Sequence, residues 1–347
     1  MTAFVRSQPF DLVPFVQYHG MSPLQETWDL LGRDNICHLK WLSAHTLEHS
    51  RCKLTSEDIV VNGNRGCRSI MHTPEGQLTE IVHFDPVLNT RAIKEHFIKD
   101  LKDYKPFLAY LRDITVRHCP EPLSDAFKEL GDNGLPHCFI GRSPYQQMWV
   151  EWVSIEDLAL HMVDAPDVLE ECFLLMHNQL VEIAKLIVND PIPYYVIGDN
   201  ITAPMIPPAY FEKYCMPTYQ ATADIMAEKN IPLTVHMDGD LKTLWDLIGK
   251  SPVRMLDSFS PPPDNDTSAR QAVTMWPDKK LMLNFPSSVH LGSEKEIYNA
   301  TMEILNQAGR TGRLEIQISE NPPPGRWKKS YPIILKAIQD FGNPFES

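Results

Sequence analysis

The sequence predicts an α/β fold, a closed (β/α)8 barrel with a β-rich extension at its N-terminus. Three observations carry this. From about Leu135 onward, short apolar runs alternate with helical stretches, the pattern of parallel strands covered by helices. No G-x-G-x-x-G follows an early strand and no phosphate-loop pattern occurs, which disfavours an open nucleotide-binding sheet. The 347 residues suit one barrel with elaborations, and no repeat or linker divides them.

In chain order, Gln25–Leu31 reads as a short helix. Glu48–Lys53 and Cys67–His72 read as strands around the turn signal Asn62-Gly63-Asn64. Thr73 to Gly76 is a second turn, and Gln77–Phe84 then alternates as a half-buried strand does. Ile98–Leu111 has helical spacing. Residues 1–110 are therefore read as the extension and 111–347 as the main barrel of a single domain. Barrel strands are expected at His137–Ile140, Tyr194–Ile197, Leu233–Val235, Val253–Leu256, Lys280–Leu283 and Leu314–Ile318. Leu169–Val188 carries Leu169, Cys172, Phe173, Met176, Leu180 and Ile183 at helical period, so Cys172 reads as core. Leu241, Leu244, Trp245 and Ile248 mark another helix. Ser293 with Glu296 has capping-box spacing, and Gly309 is the expected stop.

Composition narrows the function classes. Formal net charge is −13, from 32 basic and 45 acidic residues, which argues against a nucleic-acid partner. Seven scattered cysteines with no C-x-x-C exclude a zinc ribbon and a thioredoxin-like motif. Nothing near Met1 reads as a signal peptide, and no apolar stretch approaches the ~20 residues of a membrane span. The expectation is a cytoplasmic protein with no membrane partner.

In such a barrel the chemistry sits at the C-terminal ends of the strands. Four expected strands deliver polar groups there: Gly198-Asp199-Asn200, His236-Met237-Asp238-Gly239-Asp240, Asn284-Phe285 and Ser319-Glu320-Asn321. His236 and Asp238 are two apart, so an extended segment turns both to one face, where they share a proton or a metal. The plain alternative makes His236 a core residue and Asp238 a helix cap. Asp240, just before Leu241, is the better cap. Asp199 is a base in the mouth or an anchor for its proline-rich loop. Glu320 is a ligand or a brace for Asn321-Pro322-Pro323-Pro324. Asn200, Asn284, Phe285 and Glu151 are candidates for substrate binding; Tyr145 and His161 are weaker ones.

The segments TPEGQL (Thr73–Leu78), HFIKDLKDY (His96–Tyr104), GDN (Gly198–Asn200), YFEKYCMPTY (Tyr210–Tyr219), HMDGDL (His236–Leu241), NFPSSVHL (Asn284–Leu291) and SENPPPGRW (Ser319–Trp327) carry a resemblance. The chain resembles the uroporphyrinogen decarboxylase superfamily, in its divergent branch related to cobamide-dependent methyltransferases and O-demethylases. That resemblance implies a TIM barrel, and often a homodimer. The Arg-rich segment with which the true decarboxylases grip substrate carboxylates has no counterpart, since Val5 to Met21 holds only Arg6 and His19. Where the family's zinc methyltransferases carry His-x-Cys and a later Cys, this chain reads His236-x-Asp238 and Ser319-Glu320. The resemblance thus implies a zinc ion on His236, Asp238 and Glu320, with oxygen ligands replacing thiolates. It also implies catalysis by Asp199, His236 and Asp238: methyl transfer from a small methoxylated or methylated compound to a corrinoid (cobalamin) carried by a partner protein. The alternatives are a decarboxylase of the uroporphyrinogen type and a non-catalytic barrel that binds a tetrapyrrole or a protein.

Overall fold

A computed structural model describes residues 1–61, 63–85 and 90–346. The early strands are β1 (Phe15–Tyr18), β2 (Cys37–Leu42), β3 (His45–His49), β4 (Lys53–Val61), β5 (Asn64–Thr73), β6 (Gly76–Asp85), β7 (Thr90–Glu95) and β8 (Ile114–His118). The later ones are β9 (Gly134–Gly141), β10 (Tyr195–Ile197), β11 (Leu233–His236), β12 (Met255–Phe259), β13 (Lys280–Asn284) and β14 (Leu314–Ile318). The strands β1-β14-β13-β12-β11-β10-β9-β2 close a barrel, parallel at every seam. The predicted (β/α)8 class is the observed one.

Two compact units share the chain. The barrel unit comprises Met1–Ala44, Cys119–Gly141 and Ile187–Ser347. The second unit comprises His45–His118 and Arg142–Leu186, segments that leave the chain path just after β2 and β9. It holds the antiparallel pair β3-β8, the antiparallel meander β4-β5-β6-β7, and most of the Pro166–Ile187 helix. No described helix is long and apolar enough to cross a membrane.

Barrel strands buried on both faces need apolar runs, and β14 (Leu-Glu-Ile-Gln-Ile) and β12 (Met-Leu-Asp-Ser-Phe) are buried at every position. Alternate residues fill the lumen: Val16, Tyr18, Leu39, Leu135, Tyr194, Val196, Met255 and Met282 form one cluster with Phe4 and Val5. The N-terminal turn closes the N-terminal end of the barrel, because Lys280, first residue of β13, donates its ammonium to the carbonyls of Phe4 and Val5 at 2.5 and 2.8 Å.

All six expected barrel strands form, with ends moved by up to three residues. The first two were illegible. Phe15–Tyr18 is four residues long, and Cys37–Leu42 carries His38 and Lys40, so neither reads as an apolar run. The barrel therefore begins within residues 1–110, and the expected boundary between extension and barrel near 110 is not where the strands divide. Glu48–Lys53 is not one strand: Asp113 accepts the N–H groups of Arg51 and Cys52, both at 2.8 Å, and turns the chain between β3 and β4. The turn after β4 includes Gly63 at φ 81°, while its Asn62 lies outside the described residues. The helix expected from Ile98 starts at Tyr104, after a short turn carrying an Asp100/Asp103 capping box. The Ser293/Glu296 capping box is present. The helix ends at Ala308 with Gly309 as its C-cap, as expected; Gly309 keeps helical φ −58°, and a short 3-10 turn runs on to left-handed Gly312. Asp240 is not the cap; Asp266 accepts the N–H groups of Leu241 and Lys242, and Asp240 accepts that of Asp266.

The β2–β9 seam leaves no room for a side chain at Gly134. A Cβ on Gly134 would lie 2.3 Å from the carbonyl oxygen of His38, its partner across the seam. That neighbour is backbone and cannot swing aside. Gly134→Ala is expected to cost about 1–3 kcal/mol, read as a lower urea midpoint; an unchanged midpoint would refute the tight seam.

Candidate active site at the C-terminal end of the barrel

The strand-end residues assemble around Asp257, in β12. Its carboxylate is fully buried and would be costly there unless paired. Tyr18, at the end of β1, donates its hydroxyl to Oδ2 at 2.5 Å, and Gln317 of β14 donates to Oδ1 at 3.1 Å. His236, last residue of β11, places Nδ1 2.9 Å from Oδ2, and His137 of β9 places Nε2 at 3.5 Å. Four other barrel strands, only one of them adjacent to β12, thus converge on one carboxylate. Ser258, adjacent, has φ 55°, uncommon for a residue with a side chain, and the β12–β13 register shifts at the same place. The kink brings the Ser258 hydroxyl to 3.2 Å from the Tyr18 hydroxyl.

His236 is engaged on both nitrogens, with Nε2 3.5 Å from Oδ2 of Asp238. Burial disfavours the imidazolium, but the hydrogen bonds and charges of Asp238 and Asp257 outweigh it and raise its pKa to about 10. Burial likewise opposes the Asp257 carboxylate, yet His137 and His236 hold it well below the usual carboxylate range. Burial, then Asp257, pushes the Tyr18 phenol well above its ordinary value, so it remains a donor. The result is an imidazolium between an inner, fully buried carboxylate and an outer one that is 31% exposed. A charged acid that solvent and a small molecule can reach is suited to proton donation.

Aromatic rings flank it. Trp41, at the C-terminal end of β2, is 37% exposed; its ring lies 4.4 Å from that of His137, 5.5 Å from that of Phe139 and 6.5 Å from that of His236. Gly198 leaves room for these rings, since a Cβ there would come within 2.6 Å of Phe139.

The structure separates the predicted residues. His236 and Asp238 come together. Asp199 is fully buried and accepts the Tyr219 hydroxyl at 2.6 Å, the anchoring alternative. Asn200 is half-buried in the same loop. Asn284 is a cross-brace: it donates to Ser260 and accepts from both N–H and hydroxyl of Ser319, so its amide is spent within the fold. Phe285 is buried edge-on against His290 and offers no open face. Glu151 belongs to the second unit, where it pairs with Arg142 at 3.2 Å and burial pushes its pKa up. Tyr145 and His161 are buried in that unit, His161 on the Tyr104 hydroxyl. Cys172 is core.

The expected zinc ligands do not fit a metal. Glu320 is exposed and accepts the Ser287 hydroxyl, and its carboxylate does not join those of His236 and Asp238 in a trio with all ligand atoms within 4.8 Å. What sequence reasoning missed is Asp257, Tyr18, His137, Gln317 and Trp41. Asp257 follows the expected strand Val253–Leu256 directly, so the strand-end rule already pointed to it. Tyr18 and Trp41 end the two unread strands.

Comparison with known proteins agrees with this architecture. Residues 153–314 match the family model described as uroporphyrinogen decarboxylase (URO-D). Among solved structures, a methyltransferase from Methanosarcina mazei superposes with TM-score 0.58 at 12% identity, covering 98% of this chain and 97% of that one. A B12-independent methionine synthase from Shewanella sp. W3-18-1 gives TM-score 0.44 at 9% identity, covering 86% and 76%. No curated protein matches the chain.

The paired charges make stability depend on pH in two windows. The raised value of His236 contributes stability that is full below its ordinary 6.5 and lost as pH rises through about 10. The depressed value of Asp257 contributes stability present above its ordinary 3.8 and lost as pH falls through its folded value. Asp257→Asn should bring the His236 titration, followed by ring-proton NMR, down from about 10 toward 6.5. It should also destabilise the fold by roughly 3–5 kcal/mol, since a partner of a buried pair is lost. A titration unchanged in the variant would show that Asp257 does not set the charge of His236.

Proposed function

We propose that this chain is a methyltransferase of the uroporphyrinogen decarboxylase superfamily, moving a methyl group from a small methoxylated or methylated compound to a corrinoid held by a partner protein. The observation that carries this reading is the placement of His236, with Nδ1 2.9 Å from Asp257 and Nε2 3.5 Å from Asp238, which favours the imidazolium. Breaking a methyl–oxygen bond leaves the electron pair on the oxygen, and that oxygen needs a proton. As the methyl carbon forms its new bond with the nucleophile's electron pair, the Nε2–H of His236 donates to the leaving oxygen. The donor departs as a hydroxyl compound. Asp257 keeps the ring oriented throughout, and the neutral imidazole regains a proton from solvent past half-exposed Asp238. Trp41 supplies a flat apolar wall for the organic part of the donor.

No metal enters this reading, because the donor set for one is not assembled. Decarboxylation of a polycarboxylate is disfavoured by the same end of the barrel, where strand-end loops carry Asp238, Asp240, Asp264, Asp266 and Glu320. A site for many carboxylates needs arginines or lysines to offset their repulsion.

The test incubates the protein with cob(I)alamin and a panel of methoxylated and methylated donors, following methylcobalamin by absorbance. Methyl transfer is expected from at least one donor. His236→Gln should lower it about 100-fold or more, and the rate should fall as pH rises through about 10, where His236 loses its proton. Asp238→Asn should move that fall to lower pH. Coproporphyrinogen formed from uroporphyrinogen, or methyl transfer indifferent to His236→Gln, would refute the proposal. Silence with every substrate would favour the binding barrel.

A further inference from the structure

The second unit contains a donor cluster that the reading above does not use. His49 ends β3, Cys52 lies in the turn before β4, and Asp113 caps the Tyr104–Arg112 helix. One atom from each, imidazole nitrogen, thiol sulfur and carboxylate oxygen, lies within 4.8 Å of the other two. It is the one such trio of His, Cys, Asp or Glu among the described residues.

The local geometry holds these groups in place without a metal. Asp113 accepts the N–H groups of Arg51 and Cys52, each at 2.8 Å, and the Ser50 hydroxyl at 2.7 Å. The turn is thereby curled so that His49 and Cys52, three apart in sequence, face the same carboxylate. The His49 ring is stacked on Tyr110, 4.2 Å between centroids and 21° between planes, which fixes where its nitrogens point. Cys52 and Asp113 are buried.

One atom in this arrangement lacks a partner. Nδ1 of His49 is buried with no hydrogen bond, 3.9 Å from Oδ2 of Asp113. That is too long for a hydrogen bond and a few tenths of an ångström wider than the ~3.3–3.4 Å between two tetrahedral zinc ligands, so binding would draw the two atoms together. A buried unsatisfied nitrogen costs about 1–3 kcal/mol, and an ion is one of the ordinary explanations for such an orphan.

We propose that His49, Cys52 and Asp113 bind a zinc ion that fastens the β3–β4 turn to the end of the Tyr104–Arg112 helix. The donor set is borderline-soft nitrogen, sulfur and oxygen, which suits Zn²⁺ over Mg²⁺ or Ca²⁺. Three protein ligands leave a fourth position for water. Binding exchanges the thiol proton of Cys52 for the metal–sulfur bond and releases that proton to solvent. The site is independent of His236 and of the methyl-transfer reading.

The full chain is stripped with chelator, loaded with Zn²⁺, dialysed and analysed for metal. About one equivalent per chain is expected, lost in Cys52→Ser and in His49→Gln and kept in His236→Gln. Chelation should lower the melting temperature of the parent chain and not of Cys52→Ser. Loading the parent chain with Co²⁺ needs no variant to fold: it should give a thiolate-to-cobalt charge-transfer band and tetrahedral ligand-field bands. A parent chain that retains no zinc, or a cobalt spectrum without the thiolate band, overturns the proposal. So does zinc lost with His236→Gln and kept with Cys52→Ser.

Discussion

The buried carboxylate of Asp257 is the constraint on which the barrel unit turns. A charge with no solvent contact is tolerated only when its hydrogen bonds and countercharge are supplied by the fold. Here they come from β1, β9, β11 and β14, through Tyr18, His137, His236 and Gln317. A closed sheet makes this arrangement natural, because every strand turns alternate side chains into one lumen. The same bonds that stabilise Asp257 orient His236, so fold and chemistry share one set of contacts. The positive φ of Ser258 and the shifted register beside it are the local strain that this convergence imposes.

The division of the chain into two units follows from where the barrel can accept additional chain. Connections after the strands are surface loops, and long insertions there cost little closure entropy. The segments His45–His118 and Arg142–Leu186 both enter at such connections. They build their own antiparallel sheets and carry their own buried polar centre at Asp113, where a carboxylate again organises backbone N–H groups. The two units solve the same problem differently. In the barrel unit side chains satisfy the carboxylate, whereas in the second unit two N–H groups of the turn share the task with the Ser50 and Arg51 side chains.

What the sequence disclosed is explained by the same physics. Strands such as Tyr195–Ile197 and Lys280–Asn284 are buried along nearly their whole length and read as short apolar runs between helices, so their existence and the location of the mouth were legible. His236 and Asp238 were legible because a histidine and an aspartate beyond an apolar strand are the groups that the barrel end exposes. Phe15–Tyr18 and Cys37–Leu42 were not, since Gln17 and His38 bond to each other and interrupt the apolar signal. With those strands went Tyr18 and Trp41. What Asn284 and Asp199 bond to was not legible for a different reason. Position at a strand end says that a polar group is near the mouth, and only tertiary contacts say whether its hydrogen bonds are already spent.

The lumen also explains why one carboxyl is an anion and another is not. Glu315 of β14 is as buried as Asp257, but neither of its oxygens has a hydrogen-bond partner among the described residues. Burial pushes its pKa well above the ordinary value; the charge of Asp257 adds to the rise, while the N-terminal ammonium and Lys280 only temper it. Burial in turn lowers Lys280 to about 8. A neutral carboxyl therefore sits toward the closed end and an ionised one toward the open end. Exchanging their partners, not their depth, would exchange their charges. The fold thus confines the negative charge of its lumen to the end where an imidazolium can be held facing solvent.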